Sequence, residues 1–537
     1  MASAQVPVIR ANGVAHQLFV DGRPFIILGG EVENSAASSA AYMAPIWNRL
    51  QAMGANTLLL PVGWDQLEPD EGRFDFALVD DMIAQARRHD MRIGILWLAA
   101  FKNARSTYAP TWVRADSGRF PRAVTAMPDH PTGAFTSTRA PVLSAFAPAL
   151  LEADRCAFAA LMRHIAAVDA DHRVILVQVE NETGILGDSR DRSVAAEAAW
   201  RSAVPQPLID YLIRHADALT PELSALWAAQ GRRRSGNWGQ LFGRSPRAEE
   251  AFMAWTFGRY VESVASAGRS VLRLPFYANG WLGPAPGEPN PGDYPSGGPT
   301  AAMLDIWKAA APSLDLLAPD IYVDDARAVQ ERYARADSPL LIPEERFRAG
   351  DLFWALGRHK ALGQASYQIE SARPGSRLES AYKMLRPMLP VIARAQAEDR
   401  ISAVLLDGEE VQTVVLGGYE FTVRGADAYA RRLRLDAGAR ALPPAPEPRS
   451  EMIDDTSAPD TRPFGLIVAL DANRFLFVGE GFLADVTRHG RPAEIDRVEE
   501  GVYVDGVWHP GRRLNGDDYG RFVPKNSVGA AEVRLLP

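Results

Sequence analysis

Apolar runs alternate with amphipathic stretches along the first 400 residues of the chain. The amphipathic stretches, such as Phe76–His89 and Ala248–Ala267, repeat their apolar residues at helical spacing. The apolar runs are short and end at polar residues, which predicts strands buried on both faces of a sheet. The predicted strands are Phe25–Gly29, Thr57–Pro61, Ile93–Leu98, Val174–Val179, Pro275–Ala278, Leu314–Pro319, Leu340–Ile342 and Ala365–Ile369. Eight strands separated by helices predict an α/β fold, the (β/α)₈ or TIM barrel.

The pattern differs at the two ends of the chain. Residues 9–28 predict a hairpin, because two apolar runs flank the turn dipeptide Asp21-Gly22. From about residue 400 the apolar runs become short and are separated by glycine and aspartate turns, which predicts a C-terminal β-sandwich-like domain. We therefore predict a catalytic barrel with an N-terminal hairpin over residues 1–400 and a β-rich domain over residues 401–537.

Composition narrows the class of partner. The chain has 537 residues and a formal net charge of −8, which argues against nucleic acid or an anionic membrane as the main partner. It contains no apolar stretch of about 18 residues, the length that a membrane-spanning helix needs. The N-terminus lacks the charged-then-apolar pattern of a signal peptide. The compartment stays open between the cytoplasm and, if a signal segment was removed, the periplasm. A homo-oligomer also stays open.

Cysteine and histidine usage predicts neither a metal site nor a cofactor site. Cys156 is the only cysteine, and its helical sequence context predicts a buried structural thiol. The nine histidines form no HxH or HExxH pair, so no catalytic metal is expected. No glycine-rich nucleotide-binding motif is present either, and no cofactor is expected.

The strongest chemical signal follows the fourth predicted strand. Val174–Val179 is almost entirely apolar, and Glu180, Asn181 and Glu182 come directly after it. The C-terminal ends of the strands carry the chemistry in (β/α)₈ barrels. A carboxyl group beside an amide suits glycoside hydrolysis, since the acid protonates a leaving oxygen and the amide binds a sugar hydroxyl. The alternative is that both carboxylates are ordinary loop residues that cap the next helix.

Other predicted strand ends carry side chains of the types that a sugar site needs. Aromatic faces stack on the C–H surfaces of sugars, and amides and carboxylates bind hydroxyl groups. Trp97 is the exception, because its position inside an apolar run favours a core residue. The candidates for substrate binding are Glu31, Asn34, Trp64, Asn181, Asn279, Trp281 and Tyr322, and the candidate catalytic carboxyls are Glu182 and Glu344.

At these residues the chain resembles the retaining glycoside hydrolases of the large (β/α)₈ clan, and most closely the β-galactosidases of families 35 and 42. The resemblance covers roughly residues 20–400. The segments that carry it are Trp64…Glu68-Pro69…Gly72…Phe74-Asp75-Phe76, Gln178-Val-Glu-Asn-Glu182, Phe252-Met-Ala-Trp255 with Tyr260-Val-Glu262, and Leu341-Ile-Pro-Glu344. The C-terminal segment Gly501-Val-Tyr-Val-Asp-Gly-Val-Trp508…Arg512-Arg-Leu-Asn515-Gly-Asp517 resembles a β-domain appended in a bacterial subgroup.

The resemblance implies a role for each matching residue. It makes Glu182 the acid/base, Glu344 the nucleophile, Asn181 a ligand of the sugar 2-hydroxyl and Tyr322 a partner of the nucleophile. Glu345 competes with Glu344, but successive strand residues point to opposite faces and Glu344 directly follows the apolar run. The segment around Glu31 departs from the pattern of the best-known family 35 enzymes, which leaves the preferred sugar open.

We therefore expect a glycosidase that removes terminal β-galactosyl residues from oligosaccharides or polysaccharides. The same chemistry on another sugar, as in a β-glucosidase, an arabinosidase or an endo-glycanase, is the first alternative. A non-catalytic carbohydrate-binding protein built on a barrel is the second, because fold alone does not establish function.

Overall fold

Eight parallel strands, here β1–β8, form a closed ring at the centre of the computed structural model. The model describes residues 5–126, 142–408, 410–427, 460–504, 506–516 and 522–537. The strands are Ile27–Glu31, Thr57–Gly63, Arg92–Lys102, Val174–Asn181, Phe276–Trp281, Leu316–Ile321, the two-part β7 (Leu341–Ile342 and Glu344–Glu345) and Gly363–Tyr367. The first part of β7 pairs with β8, the second part pairs with β6, and β8 pairs with β1. The predicted (β/α)₈ barrel is confirmed.

Helices cover the outside of the ring. The first helix shows how local sequence sets their ends: the Ser39 hydroxyl accepts a hydrogen bond from the Tyr42 amide, and Gly54, at φ 96°, ends the helix in the left-handed region. No helix in the described part of the chain is long and apolar enough to cross a bilayer. The α-helices are Ala40–Met53, Trp64–Leu67, Ala77–Arg88, Thr111–Ala115, Pro148–Val168, Val194–Arg201, Gln206–Arg214, Pro221–Ala228, Trp238–Phe242, Pro246–Arg269, Leu304–Ala310, Ala326–Tyr333, Ala349–Arg358, Arg377–Leu385 and Leu389–Ala397, with 3₁₀ turns at Ala36–Ser38, Ile369–Ser371 and Arg386–Met388.

The inside of the ring is apolar over its lower part and is closed there by the N-terminal segment. Leu18 and Val20 of that segment pack with barrel residues such as Leu96 and Ile175 in one buried cluster. The segment forms a three-stranded antiparallel sheet rather than a single hairpin, with strands Val8–Asn12, Ala15–Val20 and Arg23–Phe25. The apolar plug confines polar chemistry to the opposite, C-terminal mouth of the barrel.

The C-terminal region consists of two antiparallel sheets packed around one apolar core, in agreement with the predicted β-sandwich-like fold. Phe421 on one sheet packs against Phe475 and Phe477 on the other, with ring centroids 5.0 and 5.6 Å apart. The six-stranded sheet contains, in spatial order, Ile401–Leu405, Phe464–Ala469, Arg474–Glu480, Gly529–Leu535, Ile495–Val504 and Val507–Arg513, and the four-stranded sheet contains Val411–Leu416, Tyr419–Gly425, Phe482–Arg488 and Arg491–Pro492.

The outer face of the six-stranded sheet packs on the barrel. Helix Ala349–Arg358, which follows β7, lies across this face, and Phe353 contacts Phe464 with ring centroids 4.8 Å apart. Gly357 lets the two backbones approach, because a Cβ at that position would come within 2.7 Å of the Ala403 amide nitrogen. The barrel and the sheets therefore share one continuous apolar core.

The lone cysteine lies on the surface, and the expectation of a buried thiol is wrong. Helix Pro148–Val168 buries Leu150, Ala157, Phe158 and Leu161, a stripe at helical spacing that passes beside Cys156. The Cys156 thiol is exposed and lies 3.2 Å from the Glu152 carboxylate. Its neighbours in sequence are apolar, but the helix face to which it belongs is not.

Deletion of residues 401–537 should destabilise the barrel, because it uncovers the apolar face of helix Ala349–Arg358. We expect a protein ending at Arg400 to be insoluble or to melt far below the full chain, as measured by calorimetry. A shortened protein that keeps the melting temperature of the full chain, but no longer binds a polysaccharide, would instead identify the sheets as a separate binding module.

Candidate active site

The C-terminal ends of the barrel strands bring polar side chains together in one cluster. β1 ends in Glu31, β4 in Asn181, and β6 is followed by Tyr322. Because parallel strands present these ends at one mouth, residues that are far apart in sequence interact there. The cluster consists of Glu31, Lys102, Asn103, Asn181, Glu182, Tyr277, Asn279, Asp320, Tyr322 and Glu344.

Glu344 is held by a tyrosine. The Tyr322 hydroxyl donates a hydrogen bond of 2.5 Å to Oε1 of Glu344. Burial and the adjacent Glu344 charge raise the pKa of Tyr322 far above its ordinary value, so the phenol stays a donor. The second oxygen of Glu344, Oε2, is buried without a hydrogen-bond partner among the described residues. Buried polar atoms are normally paired, so this oxygen is available to a ligand.

Glu345 points to the other side of the strand. Its carboxyl lies against Asp351 of the following helix, and burial together with the Asp351 charge raises the pKa of Glu345 well above its ordinary value. Arg462, from the C-terminal region, pairs with Asp351 at 2.9 Å. The alternation of strand side chains thus separates the two adjacent glutamates: Glu344 faces the polar cluster, and Glu345 faces the contact between the barrel and the sheets.

Glu182 lies at the end of β4 in a strained backbone conformation. Its φ of 43° is in the left-handed region, where a non-glycine residue needs support from its surroundings. Its amide donates to Oδ1 of Asn279 at 3.1 Å, and its carboxyl accepts a hydrogen bond from Asn103. Burial, followed by the Glu344 charge, raises the pKa of Glu182 to about 7, and Lys102 opposes this rise. The group therefore holds its proton up to neutral pH.

Asn181 and Asn279 differ in the donors they leave for a ligand. Asn279 donates to Oδ1 of Asn181 at 3.1 Å and to Asp320 at 2.7 Å, so both of its amide hydrogens are used within the protein. Asn181 accepts from Gln178 and Asn279, while its own Nδ2 is buried without a partner among the described residues. Asn279 thus supports Asn181 and Glu182 in the structure, and its role as a substrate ligand stays a prediction.

Glu31 and Asp320 add two further buried carboxyls. Burial and the Glu344 charge raise the pKa of both groups well above the ordinary values. Asp320 also hydrogen-bonds the Glu182 carboxyl. Oε1 of Glu31 is buried without a hydrogen-bond partner among the described residues. A carboxyl in its neutral form can donate as well as accept hydrogen bonds.

The remaining candidates occupy different environments. Trp64 is 0% exposed, its indole nitrogen donates to Glu68 at 2.8 Å, and its ring packs edge-on against Trp112. It therefore offers no surface to a sugar, in contrast to the expectation from its polar sequence neighbours. Asn34 follows β1 and Trp281 ends β5, and both side chains are half-buried.

Lys102 and Asn103 belong to the cluster but were missed by the sequence analysis. The signal was present: Phe101-Lys102-Asn103 is a change from apolar to polar residues like the one after Val179. The third strand was predicted to end at Leu98, since strands usually have about 5–6 residues. β3 continues to Lys102, and only the three-dimensional structure shows that this extension reaches Glu182.

Among the described residues, no group of three or more histidine, cysteine or acidic side chains is arranged to hold a metal ion.

Two family models match parts of the chain. Residues 43–206 match the β-galactosidase model of glycoside hydrolase family 42, and residues 378–524 match a domain of unknown function, DUF5597. The first match confirms the resemblance to family 42 that the sequence predicted, and it supports a glycosidase. The second match begins in helix Arg377–Leu385 and continues into the two C-terminal sheets. No curated protein matches the chain.

Solved structures similar to this chain include two β-galactosidases and a mannanase. The β-galactosidase of Bacillus circulans sp. alkalophilus shares 12% identity at a TM-score of 0.45, over 69% of this chain and 57% of that one. The β-galactosidase of Rahnella sp. R3 shares 16% sequence identity at a TM-score of 0.42, and the match covers 70% of this chain and 56% of that one. A β-mannanase from the blue mussel Mytilus edulis shares 13% sequence identity at a TM-score of 0.42, and the match covers 72% of this chain and 97% of that one. This chain thus spans a little over half the length of the two β-galactosidases.

Replacing Glu182 by glutamine should stabilise the protein at alkaline pH. The pKa of Glu182 is about 7 in the native state, whereas its ordinary pKa is 4.5. Between these two pH values the unfolded state binds fewer protons than the native state, so stability falls as the pH rises. We expect Glu182→Gln to be more stable than wild type at pH 8, by about 1–3 kcal/mol, and nearly equal at pH 4.5. Urea unfolding at both pH values measures the difference.

The control for this experiment is Glu420→Gln, which replaces an exposed glutamate on the four-stranded sheet. It should follow the pH dependence of the wild type. A Glu182→Gln protein that is destabilised equally at both pH values would contradict the raised pKa.

Proposed function

We propose that this chain is a retaining glycoside hydrolase that removes terminal β-galactosyl residues by double displacement. Glu344 is the proposed nucleophile and Glu182 the proposed acid/base. The observation that carries the proposal is the different environment of these two buried carboxyls: Glu344 accepts a phenol hydrogen bond, and Glu182 keeps a proton to about pH 7 under the influence of the Glu344 charge. Two carboxyls in opposite protonation states are what glycoside hydrolysis requires.

The first step uses both groups at once. Glu344 attacks the anomeric carbon, while Glu182 donates its proton to the leaving oxygen, and a covalent glycosyl–enzyme ester forms. The ester removes the Glu344 charge that raises the pKa of Glu182. Glu182, which is ionised after giving up its proton, then acts as the base and accepts a proton from the water that attacks the ester. Retaining enzymes hold the two carboxyls about 5–5.5 Å apart.

The proposed sugar contacts come from polar atoms that the protein leaves unpaired. Nδ2 of Asn181 would donate to the 2-hydroxyl, and the Glu31 carboxyl would bind a further hydroxyl. Asn34 and Trp281 would border the pocket at the ends of β1 and β5. The match of residues 43–206 to β-galactosidases supports galactose as the sugar. No nucleic acid or membrane partner is proposed, and carbohydrate is the proposed substrate class.

Replacement of the two carboxyls should separate their roles. We expect Glu344→Gln to abolish hydrolysis of 4-nitrophenyl β-galactoside, with no rescue by azide. Glu182→Ala should retain slow turnover of this activated substrate, because its leaving group needs little protonation, and azide should accelerate turnover by attacking the covalent intermediate. Enzyme kinetics with and without azide, together with identification of the β-galactosyl azide product, measure both effects.

Glu345→Gln is the matched control for Glu344→Gln, because the neighbouring carboxyl contacts Asp351 instead of Tyr322. It should keep the chemistry and alter mainly stability. An inactive Glu345→Gln beside an active Glu344→Gln would move the nucleophile by one residue.

The stereochemistry and the sugar require separate measurements. Proton NMR of the first product should show the β-anomer, because two inversions give net retention. A panel of nitrophenyl glycosides should give the highest kcat/KM for β-galactoside. An α-anomer formed first would establish inversion and reject Glu344 as the nucleophile. Preference for a glucoside or an arabinoside would keep the chemistry but change the substrate. Sugar binding without hydrolysis of any glycoside would favour the non-catalytic alternative.

A further inference from the structure

Glu180 is the one acidic residue of the segment after Val179 that the proposed chemistry does not use. It is 0% exposed and has a φ of 62°, in the left-handed region. A buried carboxyl in a strained backbone conformation costs stability, so it persists only where contacts with the surrounding structure compensate for that cost. The contacts of its carboxyl group show what depends on it.

The neighbouring strand β3 carries a large bulge opposite Glu180. Trp97 pairs with Val179 and Lys102 pairs with Asn181, so the four residues 98–101 of β3 lie opposite the single residue Glu180. A bulge leaves backbone N–H groups without a partner on the adjacent strand, and buried N–H groups must be satisfied in another way.

The Glu180 carboxyl takes the place of the missing strand partner. It accepts hydrogen bonds from the backbone amides of Phe101 at 2.8 Å and Ala100 at 3.3 Å. The bulge then leads directly into Lys102 and Asn103. The Asn103 amide donates to the Asn181 carbonyl at 3.2 Å, and its side chain donates to the Glu182 carboxyl.

Asp154 holds Glu180 from behind. It lies on helix Pro148–Val168, is fully buried, and accepts hydrogen bonds from the Trp97 indole and the Tyr260 hydroxyl, each at 2.9 Å. The two carboxyls also hydrogen-bond each other, which requires a proton between them. Burial raises the pKa of both groups above their ordinary values.

We propose that Glu180 and Asp154 are positioning residues that hold the bulge of β3 and thereby keep Lys102 and Asn103 against Glu182. The role deepens the proposed function and rests on it. Neither residue touches the reacting atoms; they act through the lysine and the asparagine, both of which favour the ionised form of Glu182. Loss of the pairing lets the bulge relax and weakens both of these effects.

The test is the pH profile of kcat/KM, whose basic limb reports the proton of Glu182 in the free enzyme. In Glu180→Gln, the amide group directs its own N–H toward the bulge, so the bulge moves. Without Lys102 and Asn103 beside it, Glu182 holds its proton to higher pH, and the basic limb should move upward by about 0.5–1 pH unit. Lys102→Gln should give a similar shift, and the double variant should add little to either.

Two variants of Asp154 give a second, independent test. Asp154→Asn should keep the limb of the wild type, because its amide can donate to an ionised Glu180 without a shared proton. Asp154→Leu cannot donate and should reproduce the upward shift. Glu250→Gln is the matched control. Glu250 lies on helix Pro246–Arg269, is equally buried, accepts a hydrogen bond from Tyr294 and pairs with Arg247. Its replacement should lower stability but leave the basic limb of the pH profile in place.

The outcomes separate this inference from the proposed function. An active wild type whose basic limb stays in place in both Glu180→Gln and Asp154→Leu overturns the positioning role, even if both variants melt at lower temperature. A wild type that hydrolyses no glycoside overturns the proposed function and this inference with it. An upward shift shared by Glu180→Gln, Asp154→Leu and Lys102→Gln, but absent from Asp154→Asn, supports the positioning role.

Discussion

Repulsion among buried carboxyls governs the mouth of this barrel. The Glu344 charge raises the pKa values of Glu31, Glu182 and Asp320, and all four carboxyls are almost completely buried. Four charges of one sign in a low-dielectric site are too costly to coexist, so the cluster must keep protons. Tyr322 donates a hydrogen bond to Glu344, and the Glu344 charge raises the pKa values of the other three carboxyls.

The cation near this cluster is supplied by an irregular piece of backbone. Lys102 lowers the pKa values of Glu31 and Glu182, and it reaches them because β3 bulges and continues past the usual length of a strand. The bulge in turn needs acceptors for its amides, which the Glu180 carboxyl provides. A regular strand would pair its backbone amides with the neighbouring strands, but it would not present the same side chains to Glu182. Local irregularity and site electrostatics are thus two parts of one arrangement.

The C-terminal sheets are connected to the same mouth through β7. Glu344 and Glu345 leave the strand in opposite directions, so the strand that carries the proposed nucleophile is anchored on its other side by the pair of Glu345 and Asp351. Arg462 supplies a positive charge to that pair from outside the barrel. The apolar contact between the sheets and helix Ala349–Arg358 holds this arginine in place. The sheets therefore support the barrel at the strand where the support matters for the site.

The sequence by itself determined the barrel, the C-terminal sheets and the strand ends at which polar residues would meet. These follow from local periodicity, since apolar runs, helical stripes and turn dipeptides report burial and direction over a few residues. The tertiary structure alone decided which polar residues belong to the site. Trp64 is buried in the core and hydrogen-bonds Glu68, and Asn279 donates to Asp320 within the protein. Lys102 reaches the site because β3 bulges. Hydrogen-bond partners and charge interactions depend on distances between residues remote in sequence, which no local pattern encodes.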